Sequence, residues 1–201
     1  MTKKKPRATR ITIIIFLVVL AVVAYYAYLS NRSKEQKAAK AMTAAEEVLA
    51  RDLSKSYPPT PKEVVKYYNE FIKCYYNEKL DDDQIDDLGI KARELYDEKL
   101  LAANELGSYL YKLREDIKDY QDNSKRITST AVASSTDVDY YTRDGYSFAR
   151  IVCTYNLNTK GTNETMDIVY LLRKDADKKW KIYGWDFAQN VDFNGDGIPG
   201  D

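Results

Sequence analysis

The stretch VDFNGDGIPGD at the end of the chain carries the residues best suited to holding a cation. Asp192, Asn194, Asp196 and Gly197 fall in the D-x-N-x-D-G order that opens an EF-hand-type calcium loop. Calcium takes roughly six to eight hard oxygen ligands, alternate spacing turns successive side chains inward, and glycine permits the sharp bend. The loop is unfinished, because the bidentate Glu of such loops has no counterpart and Asp201 is the last acid. The expected calcium ligands are Asp192, Asn194, Asp196 and Asp201, completed by a terminal carboxylate, waters or the folded domain. The plain alternative is a solvated acidic tail.

Other chemistries are excluded by what the chain lacks. It has no histidine, which removes Ser–His and Cys–His nucleophilic pairs, His-ligated zinc and histidine pH switching. Its two cysteines, Cys74 and Cys153, are too few for thiolate-only zinc and make no disulfide framework. One bridge is open to them; two small buried hydrophobes are the simpler expectation. Asp81, Asp82, Asp83, Asp86 and Asp87 form an acidic cluster, read here as a solvated helix start rather than a cation site.

Charge is balanced at 31 Lys+Arg against 31 Asp+Glu, but unevenly spread. Lys3, Lys4, Lys5, Arg7 and Arg10 precede any acid, so the chain after residue 30 is acidic on balance. Nucleic-acid affinity rests on Lys and Arg neutralising phosphates, and the domain is expected to bind no nucleic acid.

These residues are positioned by a chain with a clear division of labour. Residues 1–10 form a basic tail, and residues 11–29 read ITIIIFLVVLAVVAYYAYL without a charge. As a helix that run is about 28 Å long, close to the roughly 30 Å hydrocarbon layer of a bilayer. Tyr25, Tyr26 and Tyr28 gather where amphipathic rings favour the membrane–water boundary. The basic tail predicts a cytoplasmic N-terminus and a domain outside, on a single-pass anchor from Ile11 to Leu29. A cleavable signal peptide is the rival, with Val22-Val23-Ala24 at the cut, and it too places the domain outside.

Residues 30–59 read as a helical linker. Ala38, Met42, Ala45, Leu49 and Leu53 recur at helical steps on a narrow, Ala-rich face, which predicts a solvated spacer over 33–56. Pro58-Pro59 breaks it. The domain expected over 60–189 opens with Thr60 as N-cap, Pro61 in the first turn and Glu63 completing a capping box. Val64, Tyr68, Phe71, Ile72 and Tyr75 form the apolar stripe of that helix.

A second helix starts at Asp81–Asp83 and buries Ile85, Leu88, Ala92, Leu95 and Tyr96, with Gly89 a weak spot. A third is expected to be capped by Asn104 and to run to Tyr120. After Lys125 the period changes to two. Ile127, Ser129, Ala131 and Ala133 make a weak strand, Asp144-Gly145 a turn, and Ala149, Ile151, Cys153, Tyr155 and Leu157 a strong strand face. Met166, Ile168, Tyr170 and Leu172 face the same way on the return. In the last strand Trp180, Ile182 and Gly184 alternate with Lys181, Tyr183 and Trp185. Helices first and an antiparallel sheet after them predict an α+β domain.

The helix beginning PKEVVKYYNEF and the strands ending RKDADKKWKIYGW resemble the nuclear transport factor 2-like superfamily over roughly residues 60–188. The resemblance implies a cone: three helices packed in a curved antiparallel sheet. The whole chain is also similar to an uncharacterised family of membrane-anchored proteins of Gram-positive bacteria. The tail over 190–201 resembles the calcium repeats of dockerins and thrombospondin type 3 modules. Superfamily members include isomerases, dehydratases, ligand-binding modules and interaction domains, so fold alone assigns no activity. Tyr68, Tyr75, Tyr155 and Asp186 are the residues the resemblance would turn toward the cone, and no catalytic residue carries over.

The expected function is therefore a membrane-anchored, extracytoplasmic binding or accessory module whose partner is an envelope protein or a small apolar ligand. The alternative is an isomerase- or hydratase-type enzyme, which needs a carboxylate deep in the cone.

Overall fold

The computed structural model describes residues 23–26 and 42–191. The chain divides into two compact units, Met1–Met42 and Thr43–Asp201. Of the expected span Ile11–Leu29, residues 23–26 are helical and the rest lie outside the described residues. No helix among the described residues is long and apolar enough to cross a membrane.

The second unit begins earlier than Pro58-Pro59. Helix α1, Ala44–Ala50, starts at a reciprocal capping box between Thr43 and Glu46, and it buries Ala45 and Val48. Leu53 is buried beyond it. Tyr67 donates its hydroxyl to the Val48 carbonyl at 2.8 Å, and Arg51 lies over the Tyr67 ring. Among the described residues, the stretch read as a solvated spacer is thus part of the core. Its small residues permit close approach rather than solvation.

Helix α2, Pro61–Asn77, is the central helix. Thr60 Oγ1 accepts from the Glu63 backbone N–H and donates to Glu63 Oε2, so the Thr60 cap forms but Glu63 binds the hydroxyl and does not close the expected capping box on the Thr60 backbone N–H. Val64, Val65, Phe71 and Cys74 are buried, because this helix lies against the sheet. Each such apolar side chain contributes about 1.5–3 kcal/mol by leaving water. Helix α3, Asp82–Ala92, has Asp81 and Gln84 as a capping box, and Asp86 pairs with Arg114 at 2.6 Å, so the acidic cluster is built into a helix start. Gly89 is no weak spot. A Cβ there would sit 2.7 Å from Leu110 Cδ2, so glycine lets this helix approach its neighbour.

The Asn104 cap is a further correction. A short helix α4, Glu98–Ala103, precedes it, and Asn104 ends that helix while Glu105 caps α5, Leu106–Asp122. Glu105 accepts from both Gly107 N and Ser108 N, which a carboxylate does better than an amide.

The sheet runs β1 (Lys125–Val132), β3 (Tyr146–Thr159), β4 (Thr162–Lys174), β5 (Trp180–Phe187), all antiparallel. Strand β2, Asp139–Arg143, pairs with β3 through the Asp144-Gly145 turn, where both residues take positive φ. The β3 face reads as expected: Ala149, Ile151, Cys153, Tyr155 and Leu157 are all buried. Two bulges change the other faces. One between Ile127 and Ser129 brings Thr130 and Val132 inward in place of Ser129 and Ala131. The second, where Leu171 pairs with Gly184 but Leu172 with Ile182, moves Tyr183 out of register and turns Trp185 to the concave face. Both deepen the curvature of the sheet around α2.

Candidate functional site

The concave face and the helices leave two adjoining hollows. The first, about 290 Å³, lies between α2, α5 and the sheet, with Tyr68, Tyr75, Tyr96, Tyr109 and Leu113 among its walls. The second, about 370 Å³, lies between α2 and strands β3 to β5, with Tyr155, Met166, Asp186 and Phe187 among its walls. Ile72, Tyr76, Tyr170 and Trp185 line both. Tyr68 and Tyr75 thus face the first hollow, and Tyr155 and Asp186 the second. Tyr76, Tyr96, Tyr109, Tyr170 and Trp185 complete the lining. Helical spacing marks Tyr76 and Tyr109; the bulge hid Trp185.

The tyrosines are tied into two hydrogen-bond chains. In one, Tyr155 donates to Asn69 Oδ1, so its single proton is spent, and Tyr170 must donate to Tyr155 across 2.6 Å. Asn69 in turn donates to Cys153 Sγ at 3.2 Å. Both cysteines are free and buried, as expected of small hydrophobes. This chain is closed: each hydroxyl proton has an acceptor.

The other chain is open. Tyr68 and Tyr96 hydroxyls lie 2.9 Å apart, and Tyr96 and Tyr109 hydroxyls 3.5 Å apart. Three hydroxyls share two bonds, which leaves one proton unspent. Beside them the Tyr75 hydroxyl is buried without a partner. Tyr109 is near enough to act on its ionisation, but no hydrogen bond of sound geometry joins them. A buried hydroxyl left so costs about 1–3 kcal/mol. Burial pushes the hydroxyls of Tyr68, Tyr75, Tyr96 and Tyr170 well above the ordinary value of 10.0, so all four stay neutral donors.

Charge sits at the mouth. Trp185 is 40% exposed and Phe187 43%, flanking the opening with apolar surface. Lys112 and Asp116, one turn apart on α5, are exposed on the rim of the first hollow. Partial burial and the neighbouring Asp119 raise the Asp116 carboxyl from its ordinary value, against Lys112. Asp186 uses Oδ1 to accept from Phe187 N and Asn190 Nδ2, so it caps the turn that ends β5. Neutral hydroxyls and aromatic faces inside, with carboxylates outside, favour recognition by hydrogen bonding and stacking over proton abstraction.

A family described as a domain of unknown function, DUF6715, matches residues 1–185. The chain belongs to that family. No curated protein matches it. The DUF6715 match takes in both the Ile11–Leu29 stretch and the two hollows, and it ends before the calcium-like tail. Asp192, Asn194, Asp196 and Asp201 lie outside the described residues. Among the described residues no group of three or more acids and cysteines gathers as a metal site would.

Proposed function

We propose that this chain is a membrane-anchored, extracytoplasmic binding or accessory module, with the tyrosine-lined hollows as its ligand site. The observation that carries the reading is the pair of adjoining hollows walled by aromatic faces and neutral tyrosine hydroxyls. The concave sheet around α2 supports kinship with the nuclear transport factor 2-like cone. In the same reading Ile11–Leu29 is the anchor, the basic tail stays in the cytoplasm, and Asp192, Asn194, Asp196 and Asp201 take calcium weakly. The enzyme alternative lacks the deep carboxylate it needs: Asp116 is exposed and Asp186 is engaged as a cap.

The test is a saturation-transfer NMR screen of small apolar fragments on the full chain in lipid nanodiscs. Fragments that bind the native chain and not a Tyr76→Ala, Trp185→Ala double variant support the reading, since that control cancels partition into lipid. A screen in which every hit survives the double substitution sinks it. Topology is tested separately by protease treatment of intact cells: a shielded C-terminus contradicts the orientation. Heat on titrating millimolar calcium into the full chain supports the tail site, and none at that concentration removes it.

A further inference from the structure

Residues 93–104 carry an inference that rests on the binding reading above and concerns how the first hollow keeps its shape. They run along the outer edge of β5. Tyr96 bridges Ile182 in parallel there, the Asp97 N–H donates to the Ile182 carbonyl at 2.8 Å, and Lys181 Nζ donates to the Glu94 carbonyl at 2.7 Å. Tyr96 and Asp97 are both extended, so their side chains leave on opposite faces. The Tyr96 ring enters the concave side, 5.8 Å from Trp185, 5.9 Å from Tyr68 and 6.1 Å from Tyr109 between centroids. Asp97 goes to the convex side and takes both arms of the buried Arg173 guanidinium, at 2.8 Å each.

Tyr96 has little else to hold it. Its hydroxyl meets only the hydroxyls of Tyr68 and Tyr109, groups that rotate to suit their neighbours and set no ring position. The Asp97–Arg173 bond is of the other kind. A carboxylate gripped by both arms of a planar fork is fixed in place and in angle together. The fork is itself seated, with the Tyr146 ring 4.7 Å and the Tyr183 ring 5.5 Å from its carbon. Apolar residues of similar size would serve stability about as well as a buried ion pair, so what this pair adds is geometry.

We propose that Asp97 and Arg173 are positioning residues for the ligand site: from the convex face they hold Tyr96 as a wall of the first hollow. Tyr96 and Asn104 both line that hollow. No residue of 93–104 lines the second, so the pair governs one hollow and not its neighbour.

The experiment titrates acetophenone, a compact uncharged fragment, into the full chain in nanodiscs and follows two NMR signals. The Tyr109 ring reports the first hollow and the Met166 methyl the second. Asp97→Asn keeps the size of the side chain and its cap on α4 but removes the charge. It is expected to weaken the Kd read at Tyr109 about tenfold and to leave that at Met166 within about twofold. Arg173→Lys keeps the charge, loses the fork and should fall between; it carries the test alone if Asp97→Asn does not fold. In a Tyr96→Leu background, Asp97→Asn should change the Tyr109 Kd by less than about twofold, because its route is already gone.

A Kd at Tyr109 unchanged by both variants overturns the inference, and the pair then serves stability alone. The same loss in the Tyr96→Leu background, or equal weakening at Tyr109 and Met166, overturns it too. Saturation of the native chain at Met166 only leaves the first hollow without a ligand and also overturns it, while the binding reading stands. No saturable shift at either signal fells the binding reading itself.

Discussion

On one side of Ile72 and Tyr76, the chain Tyr170–Tyr155–Asn69–Cys153 spends every hydroxyl proton it holds. On the other, Tyr68, Tyr96 and Tyr109 keep one proton over, and Tyr75 has no partner at all. Both chains are built around tyrosines of the same core, and they differ in that the closed one is buried throughout while Tyr109 of the open one is half-buried. A closed network rigidifies and fixes a core; an open one beside a cavity lowers stability and leaves donors for something else. The salt bridge on the opposite face of the sheet sets the scale for a fully satisfied polar site. There Arg173 donates twice to Asp97, at 2.8 Å each, once to Glu98, and stacks on Tyr146.

The largest effect is expected from that reference pair. Asp97→Ala leaves the Arg173 guanidinium buried without its main partner, at a cost of about 3–5 kcal/mol in urea unfolding. A loss below about 1 kcal/mol would show that the pair is solvated and give the comparison no standard. Next comes the closed chain. Asn69→Ala strands the Tyr155 proton and removes the donor to Cys153, and should cost about 2–3 kcal/mol. The open chain should respond with the opposite sign. Tyr75→Phe removes an unpaired hydroxyl and keeps the ring, so the empty protein should gain up to about 1 kcal/mol. A loss there would mean that Tyr75 has an acceptor, and the distinction between the two chains would vanish.

The smallest effect, and the one shared by both chains, is on pH. The folded hydroxyls ionise above their unfolded value of 10.0, and burial likewise pushes the Cys74 thiol from 9.0 up to about 12. The unfolded chain therefore loses these protons first. Stability is fully present below about pH 9 and declines as pH rises beyond it. Urea midpoints at pH 8, 10 and 11 should fall in that order, and a flat profile would show the rings to be solvated.

Much of the fold was legible in residue order. The Thr60 cap, the α2 stripe and the β3 alternation follow local rules, and the structure keeps them, though Glu63 turns to the Thr60 hydroxyl instead of closing a box. What was hidden turns on backbone irregularities. Trp185 reads as outward on strict alternation, and the bulge at Tyr183 reverses it. Gly184 inside a strand is the sign that points to such a bulge. The core role of Ala45, Val48 and Leu53 was masked by a face too narrow to look buried, since small residues give a weak apolar signal whether solvated or closely packed. Asn104 suits either end of a helix, and the six-residue α4 is too short to show a period. At the site, Tyr68 and Tyr75 could be placed on a face, but the lack of an acceptor for Tyr75 depends on side chains far apart in sequence.

The tyrosine-lined hollows stand or fall as a ligand site on whether a small apolar molecule saturates them. It is tested most directly by NMR on the full chain in nanodiscs, following the two tryptophan indole signals and the ring signals of labelled tyrosines as acetophenone is added. Trp180 lines neither hollow and serves as the internal reference. Saturable shifts are expected at Trp185, Tyr75 and Tyr109, with Trp180 still. Shifts that never saturate, or that move Trp180 as far as Trp185, would contradict it.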